Sequence, residues 1–394
     1  MNPSSAAWIR KFINEFPKKL LIDNYASRNV FYKSLKNTGF IYGVSVNTML
    51  DEPISDLNLT KEEYTKVNLF HALWYTFYTV KPHKPHEEAI ETIIAFYKAI
   101  ERGKRSFFQK LSFTTSASEN LEKIISARLQ ETNSVLKTDA TSLLTYALLY
   151  VDVLAFAYYL EQPEGLKSYL DVLEKTLIDN SALALQSKKV KNKYDHLVID
   201  LVASSSEFYE ILPQKLNGSS NGLEKQFILD ICCLAVWDDQ VLDTSELKFL
   251  KELNNGLGFS EEHLQQNIET LVQFSSTNAQ KIKLFEYSHP VAQFYKQSSK
   301  MVKLLILRNK KRLLTELNES GELLVLLGQS TGRELTGAEK TKVKDQLLDI
   351  FKTVPSLTIL MLPGGALLLP LFVKLIPKLL PSAFQDNRLD EDKK

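Results

Sequence analysis

The 394-residue chain has only two cysteines, and they are neighbours, Cys232 and Cys233. Adjacent cysteines rarely pair, and without histidine help they cannot supply a four-ligand zinc site. They read as small buried apolar residues in a reducing compartment. An excess of either charge is also missing. The 48 Lys and Arg stand against 47 Asp and Glu, a formal charge of +1, so no global field draws the chain towards nucleic acid or anionic lipid. The N-terminal stretch MNPSSAAWIRKFINEFPKKLL lacks the unbroken apolar core of a secretory signal. Glu15 and Asp23 argue against a transit peptide despite Arg10, Lys11, Lys18 and Lys19. No G-x-S-x-G elbow, phosphate-binding glycine loop or H-E-x-x-H pattern occurs. An enzyme is therefore not expected, nor a small-molecule substrate, a cofactor or a DNA partner.

What is present is helical periodicity, without a convincing run of alternating strand residues. The expected fold is all-α, a multi-domain helical protein long enough for two or three cores. Pro85 and the acids Glu87 and Glu88 open a helix running through Ile93, Phe96 and Ile100. Ser116 and Glu119 have capping-box spacing, as do Thr336 and Glu339, and Ser260 before Glu261 and Glu262 is a further helix start. Leu216–Gly222, reading LNGSSNG, is the best linker. These marks divide the chain into an N-terminal helical domain (1–215), a central unit (223–296), a C-terminal region (297–385) and a charged tail (386–394).

Two apolar stretches stand out. Asp139–Gln162 is as long as a membrane span, but Asp152 near its middle would cost about 2.5–3.5 kcal/mol on an insertion scale. It reads as a buried bundle helix. Leu357–Phe384 has no ionisable side chain as far as Val373, and only Lys374 and Lys378 interrupt the remainder. A bilayer-crossing helix needs about 20 mostly apolar residues, with lysine stems snorkelling at its ends. The C-terminal stretch therefore reads as a membrane segment at about 355–380, punctuated by Pro355, Pro363, Gly364, Gly365, Pro370, Pro377 and Pro381 and with Lys374 near its end. In lipid such breaks survive where neighbouring groups satisfy the freed backbone.

The same region resembles a known family. Leu335-Thr336-Gly337-Ala338-Glu339, then Asp349-Ile350-Phe351-Lys352-Thr353-Val354-Pro355, then Leu368-Leu369-Pro370 through Lys374, Pro377, Lys378, Pro381-Ser382-Ala383-Phe384 are similar to the membrane region of the Letm family. The resemblance implies inner-membrane proteins implicated in cation/proton exchange and ribosome contact. The position matching the family's intramembrane glutamate is Ala366, which weakens any claim of exchange because such acids mark ion paths. With the sequence ending soon after Phe384, the family's ribosome-binding domain is expected to be missing. The closest resemblance is then to bacterial Letm-related, biofilm-associated proteins.

In the central unit, Asp239, Asp243 and Glu246 match the D-x-x-x-D-x-x-E spacing of TerB-like tellurite-resistance domains, with Gln240 where a glycine is usual. Clustered carboxylates suit a hard divalent cation such as Ca²⁺, provided carbonyls and water complete six to eight oxygens. The other reading of the same residues is a helix cap, with Glu246 complementing the dipole. His83, His86 and Glu87, on a turn flanked by Pro82 and Pro85, form the local histidine cluster; they could bind a transition metal but read first as solvated helix-start residues, whereas His71, among Leu69, Phe70, Trp74 and Tyr75, reads as a core histidine. The basic run Arg308–Arg312 could face acidic lipid or RNA phosphate, or be one charged helix face.

These readings lead to a membrane-associated, non-enzymatic anchoring or scaffold protein of the cell envelope. It is expected at the inner membrane of a bacterium rather than a mitochondrion, with its bulk in the cytoplasm. The partners are the lipid bilayer and, further, a ribosome or a second copy of the chain. A component of cation/proton transport is the alternative. A ribosome-associated soluble factor that buries the apolar tail in its own core is the second.

Overall fold

The computed structural model describes residues 1–394 apart from 51–53, 55–58, 101–115, 135–148, 192–194, 197–198, 200–220, 238–241, 280–301, 304, 308, 331, 355–356, 358–368 and 382–394. All regular structure among the described residues is helical. In the N-terminal half lie α1 (Trp8–Glu15), α2 (Arg28–Asn37), α3 (Lys61–Val80), α4 (His86–Ala99), α5 (Ala117–Ser134), α6 (Leu149–Glu161) and α7 (Leu166–Ser187). Then come α8 (Asn221–Val236), α9 (Thr244–Leu257) and α10 (Glu261–Asn278), followed by α11 (Lys310–Glu319), α12 (Gly321–Gln329), α13 (Gly337–Thr353) and α14 (Leu369–Leu379).

Local chemistry sets several of these starts. Thr60 accepts from the Glu63 amide while the Glu63 carboxylate accepts from the Thr60 amide at 2.8 Å. This reciprocal arrangement satisfies two otherwise orphaned donors. Ser260 caps α10, accepting from the His263 amide at 3.3 Å. At the other end of α9, Gly258 takes φ +82° and closes the helix in the left-handed region that glycine enters without strain. The α1 cap is long-range instead. The Glu122 carboxylate of α5 accepts from the Ala7 and Ile9 amides at 3.0 and 2.9 Å.

Packing follows the apolar faces. α3 lies against α6, α4 against α5, and α8 runs along α7 while also touching α9 and α10. Aromatic rings knit the centre: Phe31 stacks on Tyr75 at 3.7 Å, Phe96 meets Phe156 at 5.2 Å, and Tyr150 bridges Tyr32 of α2 and Phe227 of α8 at 5.2 and 5.1 Å. The buried apolar cluster is continuous from Trp8 to Leu380.

The stretch around Asp152 is a core helix where it is described. Asp152 is fully buried in α6, and Arg128 of α5 grips it through Nε and Nη2 at 2.7 and 3.1 Å. That fork supplies the partner a buried carboxylate requires. Residues 139–148 of the stretch lie outside the described residues.

The C-terminal segment requires a correction. No helix among the described residues is long and apolar enough to cross a membrane. α14 has 11 residues, about 16 Å at 1.5 Å per residue against a hydrocarbon core of about 30 Å. One face of α14 is apolar, and it is already occupied: Leu371, Phe372 and Ile376 are buried in the protein, whereas Lys378 is exposed and Lys374 half-buried. Pro370 is the second residue of α14, Pro377 lies inside it, and Pro381 comes after its end, exposed. Pro355, Pro363, Gly364 and Gly365 fall outside the described residues.

Candidate functional site

The C-terminal helices build one module from their own apolar faces. α12 packs against α11, α13 and α14, and the Phe351 ring of α13 meets Phe372 of α14 at 4.8 Å and 60°. The start of α13 is fixed by charge as well as by its cap. Thr336 and Glu339 form the reciprocal box, and the Glu339 carboxylate also takes both Arg333 Nη atoms, at 2.9 and 2.7 Å. Arg333 and the Thr336 donors hold Glu339 down to about 2, so this acid is ionised at all physiological pH. Along the helix, Lys342 reaches Glu322 of α12, and Thr353 Oγ1 donates to Glu316 of α11 at 2.9 Å. These contacts make a braced surface rather than a cavity.

The acidic cluster of the central unit takes the capping role. Asp243 Oδ1 accepts from the Ser245 and Glu246 amides at 2.6 and 3.0 Å, and the Glu246 carboxylate accepts from the Asp243 amide at 2.8 Å. The Ser245 hydroxyl and these amides hold Asp243 down to about 2. Asp239 lies outside the described residues, and among the described residues no group of histidine, cysteine and acidic side chains is placed to hold a metal ion. His83 and His86 are exposed at the α4 start, with the His86 ring edge-on to Trp74 at 5.2 Å. Both cysteines are buried thiols, and burial pushes Cys233 up to about 12. They are unreactive at neutral pH.

His71 is a core residue. Its Nε2 lies 2.8 Å from the Leu21 carbonyl oxygen, so that nitrogen carries the proton and donates. Burial depresses the ring to about 4 from an ordinary 6.5. The unfolded chain thus binds a proton between those values that the folded chain refuses. Stability is complete above about pH 6.5, falls as pH drops from 6.5 towards 4, and loses on the order of 3 kcal/mol over that window. Urea unfolding at a series of pH values will show this slope in the native protein. The non-titrating His71→Phe variant will show a shallower one.

One constellation has no local sequence signature. Asp230 of α8 accepts from Lys36 Nζ at 2.7 Å, from the Tyr32 hydroxyl at 2.6 Å and from Asn267 Nδ2 at 2.6 Å. Lys36 and Asp230 are 4% and 1% exposed, so the pair is shielded from water. The partners come from α2, α8 and α10. Near by, a cleft beside Arg28, walled by Phe31, Tyr75 and Tyr150, encloses about 20 Å³. That holds roughly one water, far below the ~300–1,000 Å³ of a small-molecule site.

With an all-helical chain and a braced C-terminal module in place, known proteins supply the class. Residues 335–394 match the family model described as LETM1-like, RBD, and the region is therefore Letm-like. The chain is also 43% identical over 65 residues to the LETM1 domain-containing protein mdm28, mitochondrial, of Schizosaccharomyces pombe, covering 16% of this chain and 14% of that protein. It is also 36% identical over 69 residues to the LETM1 domain-containing protein YLH47, mitochondrial, of Saccharomyces cerevisiae, covering 18% and 15%. The likeness thus spans a small part of either relative. No solved structure matches. Two expectations are corrected. The RBD label falls on the segment itself, from Leu335 onwards, rather than on something missing after Phe384. Both relatives are mitochondrial proteins of fungi, which overturns the assignment to a bacterial rather than a mitochondrial membrane.

Proposed function

We propose that this chain is a non-enzymatic, Letm-like binding protein whose C-terminal helices α11–α14 form a docking module, with the ribosome as its partner. The observation that carries this reading is the coincidence of the RBD match with helix α14, whose apolar side chains Leu371, Phe372 and Ile376 are already spent on the protein's own core. A segment committed to a bilayer would leave that face for lipid. The helical body, including α8–α10, acts in this reading as the scaffold that carries the module. Cation/proton exchange is not part of the proposal, because the position matching the family's intramembrane acid is Ala366.

The test uses the full chain, mixed separately with ribosomes and with vesicles of mixed neutral and anionic lipid. The expected result is co-sedimentation with ribosomes at about 50 mM salt that is lost by a few hundred millimolar, as counterion release requires of contacts to RNA phosphate, with no flotation on vesicles. Flotation without co-sedimentation would replace this reading with a membrane-anchoring one.

A further inference from the structure

The polar cluster around Asp230 extends to the protein surface, and its hydrogen-bond directions are all determined. Lys36 has donors only, so the atom it meets on Asn267 at 2.5 Å is the amide oxygen. The Asn267 nitrogen therefore faces Asp230, whose carboxylate only accepts. That same Asn267 oxygen also accepts from Gln226 Nε2 at 3.1 Å, which turns the Gln226 oxygen towards His263 Nε2 at 2.5 Å. His263 must then donate. Its Nε2 carries the proton, and Nδ1 is the free base. The chain His263→Gln226→Asn267→Asp230 thus runs from a half-buried imidazole to a buried carboxylate, tying α10 to α8 and, through Lys36, to α2.

We propose that this chain is an acid-released latch holding α10 on the body of the protein. The imidazolium form is disfavoured in place for three reasons. His263 is the third residue of α10, where the helix dipole presents its positive end. Lys36, from α2, already places a cation in the network. Part of the ring is out of water, stacked on Phe259 at 4.4 Å. Against these stand Asp230 of α8, whose attraction for the imidazolium is outweighed by burial and exceeds the repulsion from Lys36, and the exposed acids Glu261 and Glu262 of α10, the first 3.5 Å from Lys251 of α9. Burial is the dominant cause and keeps the His263 ring below its ordinary value. Protonation therefore favours the state in which α10 has left.

The rest of the α10 interface is small enough to yield. Its buried apolar side chains are Leu264, Leu271 and Phe274. Phe274 is seated on Gly39, where a Cβ would meet its ring at 2.5 Å, and beside Tyr42 at 5.1 Å. Release of α10 uncovers that turn.

Hydrogen exchange of the full chain between about pH 7.5 and 5.5, a range that brackets histidine titration, tests the latch after correction for intrinsic exchange. Protection of α10 amides is expected to fall by up to about tenfold per pH unit, the limit for one proton, while α3 stays protected. His263→Gln keeps a donor for Gln226 without a titratable group and should flatten the α10 profile. Equal loss in α3 and α10 would mean global unfolding driven by His71 and would overturn the latch. So would an unchanged profile in His263→Gln, or constant α10 protection in the native protein. If His263→Gln has already lost α10 protection at neutral pH, Gln226→Met decides. It breaks the chain at its middle and must raise α10 exchange alone, or the latch is wrong.

Discussion

Asp230→Ala is expected to destabilise the fold by about 3–5 kcal/mol, the range for removing one member of a buried ion pair. The magnitude comes from what is left behind. Lys36, 4% exposed, keeps the Asn267 oxygen and the Tyr42 ring at 5.9 Å but no counter-charge, and the Tyr32 hydroxyl loses its 2.6 Å acceptor. An ammonium without a counter-charge cannot recover its hydration without opening the α2–α8 contact. The double replacement Lys36→Met with Asp230→Leu removes both charges and should recover most of the loss, because an apolar pair of similar volume is often as stable as the buried ion pair. Urea midpoints at constant m separate the two variants. If Asp230→Ala costs under about 1 kcal/mol, the range of an exposed pair, the junction is wetter than its geometry indicates.

Such a residue was invisible beforehand, and the reason is sequence distance. Lys36 and Asp230 are 194 residues apart, and His263 and Gln226 are 37 apart. No periodicity or spacing rule relates positions on separate helices. What lay within one helical turn was legible: the Thr336–Glu339 box, the Ser260 cap and the Pro85 start all occur as read. Local spacing alone left the acids ambiguous, because the separation between Asp243 and Glu246 suits a helix cap as well as a cation. In the folded chain the backbone amides of α9 take Asp243. Asp152 is intermediate. Its presence in an apolar run argued for a protein interior, but its partner Arg128 lies on α5. The apolar tail misled for a related reason. Hydropathy reports that a face will leave water, and not whether lipid or protein receives it.

The receiver of that face can be identified by one substitution. Phe372→Ala is expected to destabilise the C-terminal module by about 3–5 kcal/mol in plain aqueous buffer, the usual cost of a buried phenylalanine. Phe372 is fully buried and its ring lies 4.8 Å from that of Phe351 in a T-shaped arrangement, a pairing worth a further ~0.5–1.5 kcal/mol beyond area burial. Lys378→Ala on the exposed side of the same helix should stay within about 0.5 kcal/mol. The contrast between the two sites carries the information. A helix docked in protein loses stability when its inner face is truncated, whether or not lipid is present. If α14 instead gave its apolar face to a bilayer, Phe372→Ala would leave aqueous unfolding unchanged and weaken vesicle binding only. Ribosome co-sedimentation by the Phe372→Ala chain should then fall in step with the fraction of module unfolded. In the proposed docking reading the module α11–α14 is held together through α12 and α14, so ribosome binding is expected to be lost with the α14 contact.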